Sequence, residues 1–181
     1  SAGTHVLAGS PAVTVARFAE SSAADLIVAG THERDLSEQF LGTEVTTLLR
    51  VATCDVMGVK LGARRVNGPV IAAIDGGEHT GAVLLAAAEY AHDKHAVHTV
   101  CVLPRGFAVY ETTGLSEDFL NLADARMAST VRAVLSSLGF HRPLHLLKGR
   151  PSTEIVAYAE SVGSRLVVLG GSRVNPRIGR T

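Results

Sequence analysis

Short apolar runs alternate along the chain with longer segments in which apolar residues recur every three or four positions. The runs have the length and composition of strands, and the longer segments have the spacing of helices. The pattern predicts strands at His5–Ala8, Leu26–Ala29, Val56–Val59, Val70–Ile74, Val97–Leu103, Leu144–Leu147 and Leu166–Leu169. It predicts helices at Pro11–Ser22, Gly42–Ala52, Glu78–His92, Ser116–Leu138 and Pro151–Val162. Because strands and helices alternate throughout, the sequence predicts an α/β fold with an open parallel sheet.

One part of this pattern occurs twice. The segment that begins at His5 aligns without a gap with the segment that begins at His145, at an offset of 140 positions. Polar and turn residues match as well as apolar ones, and apolar periodicity alone does not produce such matches. The matched pairs include His5/His145, Gly9/Gly149, Pro11/Pro151, Ala19/Ala159, Glu20/Glu160, Ser21/Ser161 and Gly30/Gly170. A repeat of this length corresponds to a domain and not to a solenoid unit.

Composition and charge narrow the classes of function. Hydrophobic residues make up 46% of the 181 residues and charged residues 19%, which is typical of a globular protein. The formal net charge is zero, so nothing indicates binding to nucleic acid or to an anionic membrane. No apolar run approaches the ~20 residues of a membrane span, and no signal peptide is recognised. Cys54 and Cys101 are expected to be buried, reduced thiols of a cytoplasmic protein.

The stretch from Asp25 to Leu49 has the layout of a phosphate-binding loop. A strand ends at Gly30, a polar loop follows, and Gly42-Thr43 precedes a segment with helical spacing. Glycines let backbone N–H groups approach an anion, and the first turn of a helix leaves N–H groups unpaired. The alternative is that Gly30 ends a strand and Gly42-Thr43 begins a helix, with no ligand between them.

The order of these motifs resembles the universal stress protein family, in particular its tandem two-domain members. The resemblance is carried by VIAAIDGGEHTGAVLLAAAEYA from Val70, a Gly-x-Pro helix start at Gly9 and at Gly149, ADLIVAGTH from Ala24, and LGTEVTTLLRVATCDVMGVK from Leu41. It covers the chain except for a linker and one loop of the later unit. It implies a five-stranded parallel sheet with helices on both faces and a nucleotide site at the carboxyl ends of the strands.

The resemblance also implies a division of the chain. Residues 1–62 correspond to the carboxyl-terminal part of a first domain and residues 63–68 to a linker. Residues 69–181 correspond to a second domain whose last helix and strand are not in the sequence. Two explanations are open: the chain is a portion of a longer tandem protein, with or without omitted residues, or it is a permuted single domain in which the first part completes the second. We favour the former and keep the latter open.

The residues that bind the ligand follow from the same resemblance. The ligand implied is an adenine nucleotide, ATP or AMP, with or without Mg²⁺. Asp75 corresponds to the acidic residue at the nucleoside, and Ala73 and Val102 correspond to backbone neighbours of the adenine. Gly170 corresponds to the first glycine of the phosphate loop in the second unit.

The phosphate loops depart from the family pattern in both units. In the first unit Gly30, Gly42 and Thr43 hold family positions. Glu33 replaces the second glycine there, and the loop is one residue short. A carboxylate at that position repels phosphate. In the second unit Arg173 replaces the same glycine, and its guanidinium can pair with phosphate in place of the backbone. We therefore expect a degenerate site in the first unit and a surviving site, if any, in the second.

These features predict a universal stress protein-like regulator that binds an adenine nucleotide and at most hydrolyses ATP slowly, because no catalytic set is found. The alternative is a scaffold that binds no nucleotide and acts through dimerisation or partner contacts. Val56–Val59 is expected at a sheet edge, which predicts a homodimer or pairing of the two units. His92, His95 and His98 are close in sequence, but a metal site needs them to converge with a fourth ligand, and a polar helix end explains them more simply.

Overall fold

The computed structural model describes residues 3–31, 42–60, 67–91, 96–104, 117–141 and 143–171. The chain divides into two compact units: unit 1 comprises residues 1–64 and 171–181, and unit 2 comprises residues 65–170. Each unit has its own sheet and its own core. Strand pairing within the described ranges is parallel in both units, as the alternation of strands and helices requires.

The described part of unit 1 is a pair of strands packed with two helices. Its elements are α1 (Pro11–Ser21), β1 (Leu26–Thr31), α2 (Gly42–Val51) and β2 (Asp55–Lys60). β1 and β2 run parallel, with Leu26 opposite Asp55. Pro11 begins α1 because its fixed φ and missing N–H suit the first helical turn. The buried core consists mostly of small side chains: Ala12, Ala16, Ala19, Ile27, Leu48 and Ala52.

The prediction of a strand at His5–Ala8 is wrong. Residues 3–8 are described and form no regular secondary structure, and Val6 is 96% exposed. The equivalent run in unit 2 is a strand because a neighbouring strand pairs with it. The described part of unit 1 provides no such neighbour, and an apolar sequence does not hold a strand without a hydrogen-bonded partner.

The described part of unit 2 forms a four-stranded parallel sheet with helices on both faces. Its elements are β3 (Val70–Ala73), α3 (Thr80–Tyr90), β4 (Val97–Pro104), α4 (Glu117–Ser137), β5 (Leu144–Gly149), α5 (Pro151–Ser161) and β6 (Leu166–Leu169). The strand order is β5-β4-β3-β6. β3 is therefore internal, with Val70 opposite Val97 of β4 and Leu166 of β6.

Two hydrophobic cores lie on the two faces of this sheet. Successive strand residues point to opposite faces, so Val70 and Ala72 belong to one core and Ile71 and Ala73 to the other. The first core receives residues of α3 and α4: Val83, Leu84, Ala87, Val131 and Leu135. The second receives residues of α5 and its C-cap: Ile155, Tyr158, Ala159 and Val162. β3 is a continuous apolar run because both of its faces are covered.

The expected parallel α/β class is confirmed, but the number of strands differs. The described residues provide four strands in unit 2 and two in unit 1, and not five in one sheet. Gly30 lies inside β1 and does not follow it. Gly139 ends α4 as expected, with a left-handed φ of 70°. Of the expected linker only residues 67 and 68 are described, and Ser116, the expected start of α4, lies outside the described residues.

Both cysteines are free thiols. Cys101 is buried in β4, as expected. Cys54 is only partly buried, so the expectation of burial is wrong for this residue, which lies in the turn between α2 and β2 rather than inside an element. Within the described residues, no helix combines the length and hydropathy needed to cross a membrane.

The two copies of the sequence repeat make the same kind of side-chain contact. In unit 2 the ring of His145 on β5 lies against the ring of Tyr158 on α5, with centroids 5.2 Å apart and planes at 43°. In unit 1 the equivalent rings, His5 and Phe18, have centroids 4.8 Å apart and planes at 48°. The same histidine–aromatic contact therefore joins equivalent segments in both units, although only the segment in unit 2 is a strand.

A buried hydroxyl in β4 tests the packing of unit 2. Thr99 is completely buried, and its Oγ1 has no hydrogen-bond partner among the described residues. Valine has nearly the same shape, so Thr99→Val removes an unpaired polar group without opening a cavity. We expect the free energy of unfolding in urea to stay the same or to rise by about 1 kcal/mol.

The control is Thr99→Ser, which keeps the hydroxyl and removes a methyl group. It is expected to cost ~1 kcal/mol through the cavity that it leaves. A Thr99→Val variant that is clearly less stable than the wild type would contradict this account, because it would mean that the Thr99 hydroxyl makes a stabilising hydrogen bond.

Candidate functional site

The winding of unit 2 reverses at β3. From β3 the chain moves to β4 and then to β5 on one side, and α5 carries it back to β6 on the other side. α3, which leaves β3, and α5, which leads to β6, contribute to cores on opposite faces of the sheet. Such a reversal opens a crevice at the carboxyl ends of the two neighbouring strands. In open α/β sheets, ligands bind at this topological switch point.

Asp75 lies at this edge, two residues beyond β3. Its Oδ1 accepts a hydrogen bond from the N–H of Gly77 at 2.8 Å, which closes a tight turn of the Asx type. Gly76 has a left-handed φ of 81°, and a Cβ there would lie 3.0 Å from Cγ2 of Val131. Glycine is needed at this position both for the backbone conformation and for close packing on α4. The turn thus fixes the Asp75 carboxylate at the end of β3.

The backbone of Val102 faces the space beyond β3. The carbonyl of Val100 accepts a hydrogen bond from the N–H of Ile74 at 2.9 Å, so the polar backbone groups of Val100 point toward β3. In a strand these groups point the same way at every second residue, so those of Val102 point to the same side. β3 itself ends at Ala73, opposite Val100. The N–H and C=O of Val102 are therefore directed past the end of β3, toward Asp75.

Gly170 follows β6 directly and approaches the start of α3. A Cβ at Gly170 would lie 3.0 Å from Cβ of His79 and 3.4 Å from Cγ2 of Val83. A larger residue would push α3 away from the sheet. α3 begins without a side-chain cap and without an acidic residue in its first turn. The structure therefore brings three of the expected residues, Asp75, Val102 and Gly170, to the carboxyl ends of neighbouring strands.

An apolar surface accompanies these residues. Ala73, another expected residue, pairs with Val100 on one side and with Leu169 on the other. Ala73 is 9% exposed, whereas Leu169 is 57% exposed. Paired residues of neighbouring strands lie on the same face, which here is the face covered by α5. Leu169 thus offers an exposed apolar contact beside the end of β3.

Neither an activated thiol nor a metal-binding cluster is found at this edge among the described residues. Burial and, secondly, the charge of Asp75 raise the pKa of the Cys101 thiol, which favours its protonated, less reactive form. Within the described ranges, no three His, Cys, Asp or Glu side chains converge as a metal site would require. Of the three histidines considered above, only His98 is described, and His92 and His95 lie outside the described residues.

The residues of unit 1 that were expected to bind phosphate have a different arrangement from those at the end of β3. Gly30 lies within β1, and Gly42 and Thr43 begin α2. Glu44, the third residue of α2, accepts a hydrogen bond at Oε2 from the N–H of Ala12 at 3.1 Å. The first turn of α2 thus carries a negative charge. At the start of α1, the N–H of Ala12 already has a hydrogen-bond acceptor within the protein. Both features oppose phosphate binding in unit 1.

The sequence pattern did not identify every relevant residue. Glu44 was missed, although an acidic residue after a glycine-hydroxyl pair is visible in the sequence. Leu169 and His79 were missed because their position at the crevice follows from strand order and packing. Glu33 and Arg173, which were singled out in the sequence, lie outside the described residues.

Comparison with known proteins gives a consistent result. The profile of the Universal stress protein family matches residues 1–60 and 67–180. Universal stress protein A homolog 1 of Coxiella burnetii (strain RSA 493 / Nine Mile phase I) is 42% identical over 55 residues, which is 30% of this chain and 38% of that protein. A candidate universal stress protein of known crystal structure, from Pseudomonas aeruginosa UCBPP-PA14, is similar with a TM-score of 0.66 at 20% identity.

The structural match covers 88% of this chain and 57% of the Pseudomonas chain. At this level of identity the similarity shows the fold alone. In both comparisons the chain spans less than two thirds of the relative's length.

Gly170 and Gly171 form a matched pair that tests the approach of β6 to α3. A methyl group at 170 would meet His79 and Val83, whereas one at 171 would meet nothing within 4 Å. We expect Gly170→Ala to lower the free energy of unfolding by about 1–2 kcal/mol through overpacking. Gly171→Ala should stay within about 0.5 kcal/mol of the wild type. Urea titration followed by circular dichroism measures both, and equal stability of the two variants would contradict the close approach.

Proposed function

The chain belongs to the universal stress protein family, and we propose that it is a regulator of this family that binds an adenine nucleotide, ATP or AMP, at the switch point of unit 2. The observation that carries the proposal is the hydrogen bond from the N–H of Ile74 to the carbonyl of Val100. By the alternation of a strand, the N–H and C=O of Val102 point to the same side, past Ala73. Adenine presents a ring-nitrogen acceptor next to an amino donor. One backbone N–H and C=O can bind this pair together.

Neighbouring groups suit the other parts of a nucleotide. Asp75 uses Oδ1 for the N–H of Gly77, and we assign its Oδ2 to a ribose hydroxyl. The base would lie near Ala73 and against the exposed side chain of Leu169. Gly170 brings the backbone close to the start of α3, where N–H groups and the helix dipole favour phosphate.

The phosphate end of the ligand is assigned to the chain around and after Gly170. Arg173 follows three residues later, and its guanidinium would pair with a phosphate oxygen. Mg²⁺ would accompany ATP as a counter-ion of the phosphates. In unit 1 the later phosphate-loop positions, Gly42 and Thr43, are followed by the carboxylate of Glu44. We assign unit 1 a structural role, with its phosphate loop degenerate.

We propose the cytoplasm as the location, since the two free thiols, Cys54 and Cys101, suit a reducing compartment. The chain spans 38% of the Coxiella protein and 57% of the Pseudomonas chain, so the activity of the whole protein is part of this proposal. A regulator of this kind changes its contacts with partners when nucleotide binds, and needs no chemical step.

One observation favours a second candidate function, a scaffold that acts through homodimerisation. Among the described residues β2 pairs only with β1, so its other edge presents backbone groups to a further strand. Val59 on this strand is 39% exposed. An open edge with an exposed apolar residue favours the addition of another strand.

Calorimetric titration with ATP and with AMP, each with and without Mg²⁺, tests the nucleotide site. We expect saturable binding with a Kd below about 1 mM. Asp75→Ala should weaken it roughly tenfold, because one hydrogen bond to the ribose is lost. Glu89→Ala is the matched control: it removes the same charge near the other end of α3 and should leave Kd unchanged. No heat of binding at millimolar nucleotide would rule out the nucleotide proposal and leave the fold untouched.

Light scattering of the purified chain tests the scaffold. We expect a dimer, and we expect Val59→Lys to shift it toward monomer, since a charge on an edge strand blocks strand addition. Leu85→Lys adds the same charge at a residue of α3 that is 71% exposed and should leave the mass unchanged. A wild-type chain that stays monomeric at the highest soluble concentration would contradict pairing through β2.

A further inference from the structure

Three side chains with rings meet near the amino-terminal end of the unit 2 sheet, opposite the edge that carries the candidate nucleotide site. His98 and His145 are the second residues of β4 and β5, and Tyr158 lies on α5. Nδ1 of His98 and Oη of Tyr158 are hydrogen-bonded at 3.0 Å. The two imidazoles stack with centroids 5.3 Å apart and planes at 26°. The Tyr158 ring lies 6.0 Å from His98 and 5.2 Å from His145.

The two imidazoles share one partly buried site. Burial and, secondly, the charge of His145 lower the pKa of His98 below its usual 6.5. On β3 the residue opposite His98 is Ile71, which is apolar and fully buried. On α5 the facing group is the phenol of Tyr158, whose pKa is raised by burial, so that it stays neutral. The His98 imidazole therefore lies against a second imidazole in mainly apolar surroundings.

Charged residues on the adjoining elements interact elsewhere. Nζ of Lys148 on β5 lies 3.3 Å from Oδ2 of Asp124 on α4, which covers the other face of the sheet. Glu154, one turn before Tyr158 on α5, lies against Gly149, where a Cβ would be 2.5 Å from its Oε1. Gly149 ends β5 and is about 13 Å along the strand from the histidine pair. Neither of these described carboxylates can neutralise an imidazolium at the stack.

We propose that His98, His145 and Tyr158 form an acid-sensitive latch that holds α5 on the sheet while His98 is neutral and weakens when acid protonates His98. When α5 opens, His98 is in water and takes up a proton at its ordinary affinity. When α5 is closed, burial and the neighbouring imidazole of His145 oppose that proton.

The sign of the effect follows from proton binding. The open state binds more protons than the closed state, so the closed state is most stable above pH 6.5. Its stability falls as the pH drops from 6.5 toward the lowered pKa of His98. α5 leads directly into β6, and Gly170 follows the carboxyl end of β6. The latch therefore acts on the helix that precedes one of the two strands at the switch point.

Unit 1 provides an internal comparison. His5 stacks on Phe18 of α1, in the same arrangement as His145 and Tyr158. Phenylalanine has no hydroxyl, and His5 has no second histidine beside it within the described residues. Unit 1 therefore retains the ring contact without the latch, and α1 should lack the response of α5.

Hydrogen exchange and histidine NMR on the full chain test the latch. We expect His98 to titrate with a midpoint below 6.5. The opening constant of α5, after correction for the intrinsic pH dependence of exchange, should rise severalfold between about pH 7.5 and pH 5. The upper limit is about thirtyfold for one histidine that ionises only in the open state. The opening constant of α1 should change by less than about twofold over the same range.

His145→Gln removes one imidazole and keeps a polar side chain. It should raise the His98 midpoint part of the way toward 6.5 and measurably reduce, without abolishing, the acid-induced increase in α5 opening, because burial, the larger cause of the lowered pKa, remains. His5→Gln is the matched control and should change neither quantity. If His145→Gln does not fold, the wild-type titration and exchange decide the question alone. A His98 midpoint at or above 6.5, or α5 opening that changes less than about twofold in acid, overturns the proposal.

Discussion

The burial of β3 on all sides is the constraint on which unit 2 depends. Each of its four residues is buried, with a strand on either edge and helices over both faces. A strand enclosed in this way has only its two ends uncovered. At the carboxyl end the chain turns polar, at Asp75, and by strand alternation the backbone of Val102 points past the last residue of β3. The candidate site is thus a direct consequence of the strand order.

The parts of the fold that depend on local pattern were predictable from the sequence. The apolar run at Val70, the proline that begins α5 and the glycine that ends α4 all act through their own backbone or their immediate neighbours. The strand expected at His5 failed because strand formation depends on a partner elsewhere in the chain. For the same reason Leu169, His79 and the ring cluster around His98 could not be predicted: their roles arise only after distant segments are brought together.

The two units show how a repeated framework diverges at the level of single residues. Both keep the histidine–aromatic contact between equivalent segments. In unit 1 the aromatic residue is Phe18, and no second histidine joins the contact among the described residues. In unit 2 the aromatic residue is Tyr158, with His98 added to the contact. The shared contact supports the fold, while the polar differences separate a structural unit from one that we expect to respond to ligand and to pH.

The most direct test of this account is a two-dimensional NMR titration of the isotope-labelled chain with ATP. The account predicts saturable shifts of the amide signals of Asp75, Val102 and Gly170, whose sequence separation excludes a purely local effect. Signals of Gly30 and of α2 in unit 1 should remain in place. Unchanged spectra at millimolar ATP, or shifts confined to unit 1, would contradict the assignment of the nucleotide site to the carboxyl ends of β4, β3 and β6.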